Sequence, residues 1–213
     1  MVSLYNEHVV VKETLRARQA EGTRQLLIAT ARELFTERGF AATSIEEIIQ
    51  RAGVAKGALY HHFSGKHDLF KAVYDAVQGE AVAGVVAAAL TETEPWPAVR
   101  AGLSAFLDAC LEPAFRRIVV LDSVGALPQD VWNDGIEPNE LPMLRTVLAP
   151  LVAAGLLPGV GVEPLVYVTL GGLYGAALFV ARSRQPRLAR REVDAVLDAL
   201  VAGLQSRLRP PRP

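Results

Sequence analysis

Lys56, Tyr60, His61, His62 and Lys66 crowd one short stretch of the chain, and each can donate a hydrogen bond to an anionic oxygen. Ala55, Gly57 and Ala58 lie among them, so a helix carrying these donors has a low surface that can approach a base edge closely. His61, His62 and His67 raise a second chemistry, metal ligation. Neighbouring side chains on a helix point about 100° apart, and no cysteine or carboxylate completes a set, so no metal site is expected. Catalysis has less support still. The chain holds no G-x-S-x-G, H-E-x-x-H, P-loop or dinucleotide fingerprint. Asp108 and Asp122 near Arg116 and Arg117 read as ion pairs, so neither an enzyme nor a cofactor is expected.

Composition narrows the field further. With 22 basic and 23 acidic residues in 213, the formal charge is −1, so contact with nucleic acid must rest on local geometry. Hydrophobic residues make up 51 %, enough for a real core. The single cysteine, Cys110, excludes a disulfide framework and reads as a small buried hydrophobe. Val9–Val11 is the only apolar run before Leu26, too short for a secretory leader. Pro164–Ala181 is 18 residues without a charge, at the lower edge of the roughly 17–25 that span a bilayer. Its glycines, Thr169 and two tyrosines read better as the core helix of a soluble bundle, so a cytoplasmic protein without a membrane partner is expected.

The elements that must position the donors are all helical. Residues 1–22 read as a polar arm closed by Gly22, its arginines either a solvated face or a minor-groove contact. From Thr23, Leu27, Ala31, Leu34 and Phe35 form one apolar stripe, which Gly39 ends as a left-handed residue. Ser44 with Glu47 is a capping box, followed by Ile45, Ile48, Ile49 and Ala52 on one face and Gly53 as the stop. Ala55–Phe63 has room for about two turns, with Leu59 and Phe63 facing the core, and Lys66 opens a longer helix. Beyond a Pro95–Pro97 connector, helices are expected over Ala98–Leu111, Pro113–Val124, Met143–Leu156, Pro164–Ala181 and Ala189–Leu208. Leu127–Pro142 reads as a loop with a short helical piece. The fold class is all-α: an N-terminal three-helix unit over 23–70 and a larger helical unit over 71–213.

Three helices with a Gly53 turn between the second and third match a helix-turn-helix, whose second helix enters a major groove about 12 Å wide. The words from Arg38 to Lys66, above all Leu59-Tyr60-His61-His62-Phe63, resemble the DNA-binding signature of the TetR family of bacterial transcriptional repressors over roughly residues 24–70. That resemblance implies contacts with a double-stranded DNA operator. Thr43 and Ser44 would hold a phosphate, Lys56 would reach base edges and Ala58 a thymine methyl. Tyr60, His62 and Lys66 would bind phosphates, with His61 facing the DNA. Ala55 stands where many members carry Ser, and Ala55 and Gly57 keep the approach open.

The C-terminal two-thirds matches that family in architecture alone. Val193, Leu197, Leu200, Leu204 and Leu208 form a stripe on the last helix, and Gly171, Gly172 and Gly175 give Pro164–Ala181 a small-residue face. Together they predict a homodimer with a four-helix interface. Phe106, Cys110, Trp132, Met143, Tyr167 and Tyr174 are the candidate lining of a pocket for a small, mostly apolar effector. The expected function is a dimeric repressor on a palindromic operator, released by that ligand. The alternative is a helical ligand-binding or scaffold protein whose helix-turn-helix no longer binds DNA specifically.

Overall fold

The computed structural model describes residues 2–127 and 140–207, with side chains over 18–127 and 140–206. Among these residues there is no strand, and the chain divides into two compact units, Met1–Val73 and Tyr74–Pro213.

The first unit is built from α1 (Val2–Ala42), α2 (Ile45–Ala52), α3 (Lys56–His62) and the opening turns of α4 (Lys66–Leu90). The helical run through residues 2–22 differs from the expected arm. Gly22 does not break α1, because a mid-helix glycine costs only about 1 kcal/mol relative to alanine and its neighbours support the turn. Thr23 Oγ1 donates to the Gln19 carbonyl at 3.0 Å and Gln25 Nε2 donates to Glu21 Oε1 at 2.7 Å. Gly39 does interrupt the helix with a positive φ, as expected, at φ 82° and ψ 169°; the chain kinks there and is helical again to Ala42.

The stripe Leu27, Ala31, Leu34 and Phe35 is fully buried, as are Ile48, Leu59, Leu69 and Phe70. Phe35, Phe40 and Phe70 pack ring to ring, with centroids 4.9–5.9 Å apart, and fasten α1 to the first turn of α4. Gly53 adopts φ 67° and ψ 28°, and the amides of Gly53 and Val54 return to the Gln50 and Ile49 carbonyls. This left-handed stop turns the chain into α3 within three residues, Gly53–Ala55.

In the second unit the rest of α4 is followed by α5 (Pro95–Ala109), a π-helical segment (Phe115–Asp122) and α6 (Ser123–Ala126). Then come α7 (Glu140–Ala153), α8 (Val162–Arg182) and α9 (Pro186–Arg207). Pro95 and Pro97 do not form a connector; they open α5, where the missing amide of a first-turn proline is harmless. Residues 140–142 are helical rather than loop, because α7 begins at Glu140. The core here is Val85, Val99, Leu144, Leu148, Leu151, Val166 and Leu173 with their neighbours. Both α4 and α8 are long and apolar enough to cross a membrane by length and composition. One side of α8 is nevertheless buried in the unit, through Val166, Leu173, Ala177 and Val180.

Gly53→Ala keeps open space around the new methyl but forces an L-residue into the left-handed region. It is expected to lower unfolding stability by about 1–2 kcal/mol, with Gly53→Asn losing less, as measured by urea denaturation.

Candidate functional site

Burial decides which face of α3 is available. Leu59 is fully buried and Phe63 nearly so, and together they turn the helix so that Lys56, Gly57, Tyr60 and His61 are exposed. Ala58 and His62 sit half-buried at the edges of that face. Lys56 Nζ lies 3.7 Å from Glu46 Oε1 and 5.9 Å from the Tyr60 ring centre. A pair this exposed is worth little in water, so the ammonium is free to exchange carboxylate for another acceptor. Lys66 is held differently. Its ammonium rests 4.2 Å from the centre of the Phe40 ring, and partial burial pushes its pKa down. Arg24 stacks at 5.6 Å over Phe63.

The start of α2 corrects one expectation. Thr43 is buried, and its hydroxyl donates to the Gly39 carbonyl at 2.9 Å and lies 3.3 Å from that of Leu34. It ties the kink at Gly39 to α2 and has no hydroxyl left for a phosphate. Ser44 is the true N-cap. The Glu47 amide donates to Ser44 Oγ at 3.2 Å, and the Ser44 amide donates to Glu47 Oε2 at 3.0 Å. The Ser44 amide and hydroxyl, with Arg38 beside them, hold the Glu47 carboxyl below the usual range. By contrast Ala55, the N-cap of α3, supplies no side-chain hydrogen bond.

The second unit contains a cavity of about 710 Å³. Of the candidate effector residues, Phe106, Met143, Tyr167 and Tyr174 line it. Cys110 does not. It is fully buried at the C-cap of α5, and burial pushes its thiol up to about 12. Trp132 lies outside the described residues. The sequence reading missed most of the wall: Tyr74, Gln78 and Val82 on α4, Phe115, Val119 and Val120 on the π-helical segment, and Glu140 on α7. Glu140 and Gln78 are buried, and Gln78 Nε2 donates to Glu140 Oε1. Desolvation raises the Glu140 carboxyl to about 7.

A third surface is the outer side of α8 and α9, which pack against each other. Gly171, Gly172 and Gly175 are exposed, with open space where a side chain would stand. Val168 is 75 % exposed, and Phe179 and Val196 are also open to solvent. Along the expected stripe, Val193 and Leu197 are half-buried while Leu200 (59 % exposed) and Leu204 are open. The charged edge of α9 faces inward to α5. Arg190 meets Asp108 and Ser104 at 2.9 Å each, and Arg100 pairs with Asp194 and Asp198.

Residues 27–73 match the model of bacterial regulatory proteins of the tetR family. Residues 96–204, half of the chain, match that of the tetracyclin repressor-like C-terminal domain. The chain belongs to the TetR family. A crystal structure of a TetR-family transcriptional regulator from Pectobacterium atrosepticum is 30 % identical, with a TM-score of 0.76 over 92 % of this chain and 98 % of that one. The fold is also shared with FadR of Bacillus subtilis, solved with stearoyl-CoA, at 18 % identity and a TM-score of 0.71 over 84 % of this chain and 98 % of that one. Among curated proteins, the transcriptional activator FasR of Mycolicibacterium smegmatis is 45 % identical over 84 residues, 39 % of this chain and 38 % of that protein. The Tn10 TetC protein of Escherichia coli is 32 % identical over 54 % of this chain and 56 % of its own length. The chain therefore spans about two-fifths to just over half of these curated relatives.

Within this TetR-family chain the uncapped α3 is a local weakness that one hydroxyl repairs. Ala55 already has the extended backbone of an N-cap, φ −69° and ψ 145°. Ala55→Ser is expected to raise unfolding stability by about 0.5–2 kcal/mol in urea denaturation.

Proposed function

We propose that this chain is a dimeric, DNA-binding transcriptional regulator, a repressor that leaves a palindromic operator when a small, mostly apolar ligand fills the cavity. The observation that carries the reading is the rotation of α3, with Leu59 and Phe63 buried and the donors outward. A seven-residue helix at about 1.5 Å per residue fits a major groove about 12 Å wide. Lys56 reaches a base edge, guanine by preference, and Ala58 a thymine methyl. Tyr60 and His62 bind phosphates, His61 faces the DNA, and Lys66 clamps a further phosphate. Ser44 contributes at the start of α2, where its hydroxyl already serves the cap. Ala55 and Gly57 leave the backbone free to approach.

The unpartnered apolar face of α8 and α9 supports a twofold dimer, in which these helices from each subunit form a four-helix interface. Two recognition helices then enter successive major grooves about 34 Å apart. A ligand lowers DNA affinity by favouring a different separation. The cavity wall is mainly Val, Leu, Phe and Met side chains, which suits a largely apolar effector. Repression is the proposed sign of regulation, and FasR, named an activator, sets the alternative. A regulator of this kind works in the cytoplasm.

The test begins with selection of a binding site from random DNA, followed by titration across salt concentrations. Affinity is expected to fall linearly in log–log form, as phosphate contacts displace counterions. Lys56→Ala is expected to weaken the selected site by about 1–3 kcal/mol and relax preference at one base pair. A variant that keeps the wild-type sequence preference removes Lys56 from base readout, and no selected site at all retires the DNA-binding reading. For the dimer, Leu200→Glu places a charge on the exposed stripe without disturbing the subunit core. Analytical ultracentrifugation is expected to show the wild type as a dimer and the variant as a folded monomer.

A further inference from the structure

The cavity wall is mostly apolar, and one hydrogen-bonded pair on it is incompletely satisfied. Gln78 on α4 and Glu140 on α7 are 6 % and 8 % exposed, and both line the cavity. The hydrogen bond from Gln78 Nε2 to Glu140 Oε1 uses one atom of each side chain. Gln78 Oε1 and Glu140 Oε2 are left buried with no partner among the described residues. A buried acceptor left without a donor forfeits its hydration with nothing in return, so the pair calls for a partner. What each lacks is a donor.

The described wall contains no lysine or arginine. Its remaining polar groups are the hydroxyls of Tyr74, Tyr167 and Tyr174, and its rings also include Phe106 and Phe115. We propose that the cavity binds an amphipathic ligand bearing one protonated amine, with the ammonium donating to the Glu140 carboxylate and the Gln78 carbonyl, whose enclosed oxygens turn to the cavity to meet it, and the hydrocarbon lying among the aromatic and aliphatic walls. An ammonium brings three donors and a charge, whereas an alcohol brings one donor and a carboxylate none. Aromatic faces add cation–π attraction in a desolvated site. This inference rests on the cavity being the effector site and narrows the chemistry of its occupant.

Proton competition follows from the same geometry. Burial has already pushed the Glu140 carboxyl up to about 7, and Asp75 on α4 acts in the same direction. Among the described residues, the other titratable groups that line the cavity are Tyr74 on α4 and Tyr167 and Tyr174 on α8. Burial raises the Tyr74 hydroxyl, which stays neutral. The π-helical segment, α5 and α6 bring only apolar side chains to the described wall. An amine therefore binds the ionised carboxylate, and acid weakens it by restoring the proton.

Isothermal titration of the full chain with decylamine, decanol and decanoate, matched in length, distinguishes the three headgroups. Decylamine is expected to bind at least about tenfold tighter than decanol, from the coupling of a close buried charge pair, with decanoate weakest. Its affinity is expected to fall about tenfold between pH 8 and pH 6, while decanol stays level. Glu140→Gln preserves the shape and is expected to abolish both the amine preference and the pH slope. Decanol or decanoate binding as tightly as decylamine overturns the proposal and leaves the effector cavity standing, as does an amine preference that survives in Glu140→Gln. Failure of all three probes overturns the cavity reading and this proposal together. Should Glu140→Gln not fold, the order of the three probes on the wild type and the pH slope of decylamine against decanol are sufficient to uphold or overturn it.

Discussion

The burial of Leu59 and Phe63 is the constraint on which the nucleic-acid reading depends. A helix of seven residues has too few hydrogen bonds to hold itself together in water, so tertiary packing must decide both its existence and its rotation. Two side chains four apart on one face, seated against the core of α1 and α2, accomplish both. Once they are seated, the positions of Lys56, Tyr60 and His61 follow from helical geometry alone. The left-handed turn at Gly53 and the capping box at Ser44 serve the same end by fixing where α2 stops and how soon α3 begins.

A second constraint is electrostatic and acts on α9. Arg190, Asp194 and Asp198 are drawn to Arg100, Ser104 and Asp108 on α5, and this seam turns the polar edge of α9 inward. Few apolar residues of the helix are then buried; Ala189 is one. Val196, Leu200 and Leu204 are left facing solvent beside the glycines of α8, an arrangement costly for a lone subunit and suited to a partner. An apolar stripe on a helix is commonly taken to face its own core. Here partly buried charge pairs supply the intramolecular contact and release the stripe for another use.

The cavity depends on a balance of the same kind. Its walls come from helices far apart in the chain, and the π-helical segment Phe115–Asp122 supplies Phe115, Val119 and Val120. Wide π turns are uncommon and frequently occur at functional sites, since the extra residue per turn re-aims side chains. Among the described residues that line this wall, the Gln78–Glu140 pair is the one whose buried hydrogen bonding is incomplete.

Local physics made much of this protein legible before any coordinates. Helical periodicity, the S-x-x-E capping box and the Gly53 stop are short-range signals, so the all-α class, the helix-turn-helix and the core roles of Leu59 and Phe63 could be read directly. The resemblance to TetR regulators rested on words in that same stretch. Where the reading failed, the competing effect was one of context. Gly22 was absorbed by a supported helix, Pro95 and Pro97 opened α5, and Thr43 was buried by the kink at Gly39. Four of the candidate cavity residues line its wall, yet Gln78 and Glu140 went unnoticed. A glutamine and a glutamate 62 positions apart carry no signal until folding buries both and leaves one acceptor on each without a donor. Most helices and several of their stops are legible in the chain alone, because hydrogen bonds and caps reach only a few residues. Folding alone fixed the outward turn of the α9 stripe and the pairing of Gln78 with Glu140, because burial and charge pairing join residues that the chain keeps apart.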